Sequence, residues 1–233
     1  MYLVVKYSPA GSLLWERTYA GPEEEDSLAA MVLDGTGNIY VTGLSWRRMG
    51  PDVATVKYSA SGDELWVRRW TAPDSLDASG LCVCRTGTGI VVGGYCEYRS
   101  VGHGSGFESG VTMRYDASGA LRWQHLLSTP GRSWSQANDV AFDAGGNLVL
   151  AGRLDVAGEA DEFLVVKYAA SGESLWAQTC HVAPHSNEEA LLVAVGPDGS
   201  VHAAGTCEDE YGDLDYLVVK YDPWGGLAWV NRY

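Results

Sequence analysis

The chain has 233 residues, of which 46% are apolar and 20% charged, a globular composition that excludes a disordered polymer. Its 16 basic and 30 acidic side chains leave a net charge of −14, which excludes a nucleic-acid binder that works by neutralising phosphates. No apolar run is long enough to cross a bilayer as a helix, and no secretory leader is read at Met1, which a strand-like segment follows at once.

In chain order the elements are β-rich runs joined by short Asp/Gly/Ser/Pro turns. The first hairpin is VVKYSPAGSLLW (4–15), and the same pattern returns as TVKYSASGDELW (55–66), TMRYDASGALRW (112–123), VVKYAASGESLW (165–176) and VVKYDPWGGLAW (218–229). Tyr, Gly and Trp stand four apart in every copy, and a basic residue precedes each Tyr: Lys6, Lys57, Arg114, Lys167 and Lys220. Between these copies lies a second hairpin pattern: MVLDGTGNIYVTG (31–43), CVCRTGTGIVVGG (82–94), AFDAGGNLVLAG (141–152) and AVGPDGSVHAAG (194–205). No long stretch carries helical periodicity. Runs such as LVV and IYV are apolar on both faces, so the sheets they form are covered on both sides.

The repeat is about 53 residues long, and each unit supplies four strands, A and B from the second pattern and C and D from the first. The predicted fold is all-β, a β-propeller of four complete four-stranded blades plus an extra N-terminal two-stranded half blade. The predicted boundaries are 1–18 for the half blade and 19–70, 71–127, 128–180 and 181–233 for the blades, in one domain. Each repeated Trp is predicted to be a plate between neighbouring sheets. The basic residue before Tyr is predicted to lay its stem on the blade and its charge over a Trp face.

The Tyr-x3-Gly-x3-Trp sets and the segment Asp34 to Gly43 resemble the bacterial and archaeal SBBP-type β-propeller repeat and, more distantly, NHL and PQQ-type blades. The resemblance covers essentially the whole chain. It implies a propeller from a secreted or cell-surface protein and brings no catalytic residues. Arg85 and Gly196 stand where Asp34 and Asp143 stand in the other units.

Five CD hairpins against four AB hairpins leave one surplus. The chain is then a piece of a longer propeller, a four-bladed ring with its terminal hairpins competing for one slot, or a five-position array with one blade half built. Competition for a slot favours a homo-oligomer formed by exchange of the terminal hairpin.

In a propeller the D–A and B–C connections share one rim. Here they are 19–27, 44–53, 70–78, 95–110, 128–137, 153–162, 181–189 and 206–216, and they carry 20 acidic and 5 basic side chains, a net −15. The rest of the chain is near neutral, so the charge sits on one face, which attracts cations and cationic partners. The densest clusters are Glu23 to Asp26, Glu159 with Asp161 and Glu162, and Glu208 to Glu210 with Asp213 and Asp215, and Ca²⁺ is the cofactor such oxygen-rich loops suit. Asp26, Asp77, Ser135 and Glu188 occupy matching positions at the start of strand A. They are predicted either to ring the channel mouth, with Asp26, Asp77 and Glu188 as metal ligands, or to cap the first turn of their blades. The same rim carries the aromatic residues Trp46, Trp70, Tyr95, Tyr98, Phe107, Trp134 and Tyr211. Trp46, Tyr98, Trp134 and Tyr211, with Asp209 and Asp213, are the predicted ligand-facing set. His181 and His185, near Glu188 and Glu189, are a candidate zinc set. His202 is placed in the core. Cys82 and Cys84 are read as buried apolar residues, and Cys180 and Cys207, ending strands of one rim, as a candidate disulfide.

The leading functional expectation is a non-enzymatic scaffold or binding module, part of a larger surface or secreted protein, whose acidic rim meets a protein or polysaccharide partner. The second is a glycan-binding or glycan-processing propeller, and the third a self-assembling structural propeller. No nucleophile elbow, phosphate loop or paired-carboxylate motif is read, so the chain is expected not to be an enzyme, and neither nucleic acid nor membrane insertion is expected.

Overall fold

The computed structural model describes residues 1–23, 25–71, 75–98, 107–127, 134–155, 160–182, 186–209 and 211–233, and only the backbone of Ser75, Leu76, Tyr98, Phe107, Trp134 and Asp155. The described residues form 18 strands and no helix. A two-stranded sheet, β1 (Tyr2–Tyr7) and β2 (Leu13–Tyr19), precedes four antiparallel four-stranded blades. The blades are β3 (Asp26–Leu33), β4 (Ile39–Arg47), β5 (Gly50–Tyr58) and β6 (Glu64–Trp70), then β7 (Ser75–Arg85), β8 (Gly89–Tyr98), β9 (Phe107–Asp116) and β10 (Leu121–Leu127). They continue with β11 (Trp134–Phe142), β12 (Leu148–Asp155), β13 (Glu162–Tyr168) and β14 (Ser174–Cys180), and end with β15 (Glu188–Val195), β16 (Val201–Glu208), β17 (Leu214–Tyr221) and β18 (Leu227–Arg232). Strands β3, β7, β11 and β15 stand in succession, each packed against the next from blade to blade. This is the propeller of four blades plus a half blade.

The turns follow from two residue types. In each CD hairpin the glycine between Tyr and Trp sits in the left-handed region, as Gly62 does at φ +90, and its amide closes the turn on the Ser59 carbonyl at 2.9 Å. In the AB turns an aspartate caps the loop: Asp34 Oδ1 accepts the amides of Thr36 and Asn38 at 2.9 and 3.0 Å, and Asp143 accepts that of Asn147 at 2.9 Å. The recurring Asp of this pattern is therefore a turn cap. Where Arg85 replaces it the turn shortens, with the Thr86 amide donating to Gly89 O at 2.8 Å.

Four apolar clusters hold the array together, each between neighbouring sheets. The first joins Tyr2, Val4 and Tyr19 of the half blade to Ile39, Val41, Ala54, Val56 and Tyr58. Beyond apolar contact, the sheets are clasped by a repeated polar device. Lys6 Nζ and Trp15 Nε1 both donate to Ala60 O in the next CD turn, at 2.7 and 3.3 Å. Lys57 and Trp66 do the same to Ala117 O, and Lys167 and Trp176 to Pro223 O, while Arg114 reaches Ala170 O. The Trp ring lies flat against the turn glycine; a Cβ on Gly62, Gly119 or Gly225 would fall 2.9 Å from an indole carbon. Lys6 and Lys57 thus reach a turn carbonyl, Lys57 also lying over the Tyr40 ring, Lys167 adds an ion pair to Asp143 at 2.9 Å, and it is Arg17 and Arg68 that lie over Trp15 and Trp66. Trp66→Ala is expected to cost about 3–5 kcal/mol, because a ring only 9% exposed leaves a cavity between two blades. Trp229→Ala, at the same motif position but 39% exposed, is expected to cost a small fraction of that, and a pair of urea titrations measures the difference.

The closing glycines of the AB pattern have a different cause. Opposite Gly43, Gly94, Gly152 and Gly205 the innermost strand bulges by one residue, between Leu28 and Ala30, Gly80 and Cys82, Ala137 and Asp139, and Ala190 and Leu192. The bulge drives a carbonyl toward the glycine, so that an added Cβ would lie 1.8–2.0 Å from Ser27, Ser79, Gln136 or Glu189 O. In the third blade the extra residue, Asn138, donates across to Glu189 Oε1 and Ala190 O at 2.9 Å each, so the bulge also links one blade to the next.

The terminal hairpins do not trade places. β17 pairs with β16 along its length, and β1–β2 remains a separate sheet packed on the first full blade. Among the described residues no helix is long and apolar enough to cross a membrane.

Candidate functional site

The matching positions Asp26, Ser135 and Glu188 turn their oxygens inward. Asp26 Oδ2 accepts the Gly21 amide at 2.8 Å and lies 3.7 Å from the N-terminal ammonium. Ser135 Oγ donates to Leu127 O at 2.7 Å and accepts from the Gly110 amide at 2.9 Å. Glu188, fully buried, meets His181 Nδ1 at 2.7 Å, the Val182 amide at 3.1 Å and Ser186 Oγ at 2.5 Å. These are loop caps, and among the described residues no three His, Cys, Asp or Glu side chains form a group that could hold a metal ion. His181 is accordingly tied to Glu188, and His185 lies outside the described residues. Asp209 caps its own B–C turn, accepting the Tyr211 and Asp213 amides at 2.8 and 2.9 Å, and leaves Tyr211 exposed. Trp46 is partly exposed at the end of β4; the side chains of Tyr98 and Trp134 lie outside the described residues. Cys180 and Cys207 are free, buried thiols of one apolar cluster rather than a disulfide. His202 is half-buried, against Trp229.

What the rim does bring together lies between the second and third full blades. The β8–β9 register puts Glu97 directly opposite Glu108, with Tyr95 two residues back on the same face. Arg153 of β12 approaches from the next blade, at 3.6 Å from Glu108 Oε2 and 3.1 Å from Asp161 Oδ2, and its Nε–H meets no acceptor among the described residues. Asp77 adds a third carboxylate on the side of Glu97. Burial and then Asp77 push Glu97 above the ordinary carboxylate range, with no cation acting on it among the described residues. Burial also raises Glu108, against the pull of Arg153 and with a further push from Glu97. Burial raises Tyr95 too, helped by Glu108, Glu97 and Asp77, so its hydroxyl keeps its proton.

The contrast with the other blades is chemical. In the first blade Asp52 is neutralised by Arg47 at 2.7 Å and Arg69 at 3.2 Å, and in the last Asp215 is held by Arg232 at 2.7 Å. Glu97 and Glu108 instead face each other with one arginine among the described residues, which Asp161 shares. Half-buried like charges with raised pKa values are what an acid–base site needs and what a purely structural rim avoids. All of these residues fall in rim segments read from the sequence, and Asp77, Asp161 and Tyr95 are singled out there; the pairing of Glu97 with Glu108 is not, since the two are separated by ten intervening residues and joined by strand register alone.

A raised folded-state pKa means the folded protein holds a proton that the unfolded chain gives up. Its cost is absent below the unfolded value of about 4.3 and complete above the folded value. Glu108→Gln is therefore expected to melt higher than the parent at pH 8, with the gap closing below about pH 4. Melts across pH measure it; an equal gap at both ends of the range would contradict the assignment.

No family model matches the chain, and no curated protein does. Among solved structures it is similar to a protein of unknown function from Dyadobacter fermentans, at 13% identity and TM-score 0.59 over 99% of this chain and 71% of that one. It is also similar to the ulvan lyase of polysaccharide lyase family PL25, solved bound to a glucuronate–sulfated rhamnose chain, at 11% identity and TM-score 0.56 over 87% of this chain and 54% of that one. An endo-arabinase from Bacteroides thetaiotaomicron matches at 10% identity and TM-score 0.49, over 87% of this chain and 80% of that one. The first two likenesses support the propeller fold. The likeness to the ulvan lyase also overturns the ground on which the chain was expected not to be an enzyme. That expectation rested on the absence of a local sequence motif, yet an enzyme, the ulvan lyase, is built on a similar scaffold.

Proposed function

We propose that the chain is a glycan-processing propeller whose site is the Glu97–Glu108 pair with Tyr95 and Arg153. The observation that carries this reading is the opposition of two part-buried carboxylates in unlike settings on the long-loop rim, with Arg153 of the next blade beside one of them. Glu97, raised and without a cation among the described residues, is the proton donor to a glycosidic oxygen. Glu108, held by Arg153, is the carboxylate that acts as base or nucleophile. Tyr95 offers a ring and a hydroxyl to a sugar, and the free Arg153 Nε–H offers a donor. A rim of net −15 repels polyanions, so the substrate class is a neutral glycan rather than a sulfated or uronate polymer. Such a substrate fits a cell-surface or secreted setting and fits the SBBP-like repeat pattern.

The test is a panel of neutral and acidic polysaccharides, with reducing ends counted for hydrolysis and unsaturated sugars for elimination. Turnover of a neutral polymer is the expected result. Binding without turnover would reduce the site to glycan recognition. Neither binding nor turnover anywhere in the panel would end the proposal, and a preference for acidic polymers would overturn the charge argument.

A further inference from the structure

Four residues after the repeated Trp, the outer strand of each blade sends a side chain toward the next blade. In the first full blade this residue is Trp70, opposite Val53 on β5 and 7% exposed. Its indole packs in the cluster that holds Val111 and Met113 of the second blade, and its Nε1 donates to Gln124 Oε1 at 2.7 Å. In the second full blade the same position is Leu127, opposite Gly110 on β9. The wall it meets on the third blade shrinks as well. Ala177 stands at the position of Gln124, Thr179 at that of Leu126 and Val166 at that of Met113, against one gain, Leu164 at the position of Val111. Four side chains therefore lose volume at one place, and the structure holds a cleft there of about 470 Å³, lined by Leu127, Leu164, Val166, Tyr168, Ala177 and Thr179 among others.

The same seam has unused hydrogen-bonding groups. Between the first and second blades Trp66 Nε1 donates to Ala117 O at 3.1 Å and Arg68 Nε to Gly119 O at 2.6 Å. Between the second and third, the matching atoms are Trp123 Nε1 and His125 Nε2, both buried with no partner among the described residues. His125 stacks on Tyr168 of the cleft wall, with ring centroids 5.2 Å apart and planes 12° apart. The seam thus lacks both the ring of Trp70 and the indole N–H bonds of the seam before it. An apolar gap forfeits the contacts that close packing would give its lining, and an apolar molecule of the right shape restores them. Its volume falls within the range of roughly 300–1,000 Å³ typical of small-molecule sites.

We propose that the cleft between the second and third full blades binds a small planar aromatic molecule of about the size of an indole ring. The class is read from the chain itself, because an indole fills the matching space one blade earlier and hands its N–H to the outer strand of the next blade. Leu127, Leu164 and Val166 supply the apolar walls, and Gln178 and Thr179 of the outer strand β14 supply an amide and a hydroxyl for one polar substituent. Both blades are complete and each has a further sheet on its other side, so the cleft owes nothing to either end of the chain. The site uses neither Glu97 nor Glu108 and is independent of the glycan reading.

Indole itself is the probe. Calorimetric titration into the whole chain is expected to show saturable binding of one indole per chain, and melts are expected to shift upward as indole is added. Leu127→Trp combined with Ala177→Gln rebuilds the filled seam and is expected to abolish the binding. Thr179→Leu plugs the same cleft from an exposed position of β14, so it decides the matter even where the double variant does not fold. Octanol, saturated and flexible, is expected to bind more weakly than indole. A parent that shows no saturable indole binding overturns the inference, as does a folded variant of either kind that still binds it. Tighter binding of octanol than of indole overturns the ligand class.

Discussion

Gly152→Ala is expected to unfold the protein or to cost more than about 4 kcal/mol, against a total stability for a domain of roughly 5–15 kcal/mol. The added Cβ would fall 1.9 Å from Gln136 O and 3.0 Å from the carbon of the same carbonyl. Carbon and oxygen in favourable non-bonded contact stand about 3.3 Å or more apart. Relief would require flattening the bulge between Ala137 and Asp139. That bulge aims Asn138 at Glu189 and Ala190, and places Asp139 to accept the Val193 amide at 2.9 Å, so flattening it also costs three hydrogen bonds to the next blade. Gly146→Ala is the control. Gly146 has φ +79 and open space around it, so its substitution pays only the left-handed penalty of roughly 1–2 kcal/mol. Chemical denaturation of the pair separates the two causes. If Gly152→Ala lost no more than Gly146→Ala, the close carbonyl would be shown to relax at little cost.

The second large effect is expected at the carboxylates. Glu97→Gln should lower kcat about 10²–10⁴-fold on the glycan identified, since it keeps the shape and removes the proton donor. Working as the acid, Glu97 makes the rate fall as pH rises through its raised pKa; that alkaline limb should disappear in Glu97→Gln. Glu108→Gln should remove the acidic limb, and both variants should melt no lower than the parent. Arg153→Met should spare the fold more than the rate, because its partners Glu108 and Asp161 keep access to water. Equal activity of parent and Glu97→Gln would remove this residue from the chemistry, whatever the substrate.

Much of the architecture is written locally. A β-rich run, an aspartate or glycine turn and a second run define a hairpin without reference to the rest of the molecule, and the five Tyr–Gly–Trp sets count the hairpins. The turn glycines are required by φ, as at Gly62, and are legible for that reason. Gly43, Gly94, Gly152 and Gly205 are equally legible as a pattern, but their cause is not: a carbonyl from the neighbouring strand has to be in place before a Cβ becomes impossible. The acidic rim is visible in the sequence as charge. Its sorting into neutralised pairs such as Asp52 with Arg47, inward caps such as Glu188, and Glu97, which no cation offsets among the described residues, is not, because each outcome depends on residues brought from other strands or other blades.

By itself the sequence determined the hairpins, their repeat and the stacking of sheets covered on both sides, because these depend on side chains a few residues apart. Only the tertiary structure decided that Glu97 meets Glu108 across β8 and β9, since a shift of register by one residue would turn each to the other face. Only the tertiary structure, likewise, decided which face of the Tyr-Leu-Val-Val-Lys-Tyr strand is buried. Its two copies, β1 and residues 216–221 of β17, are identical in sequence, and a strand offers both faces alike until a neighbouring sheet covers one of them.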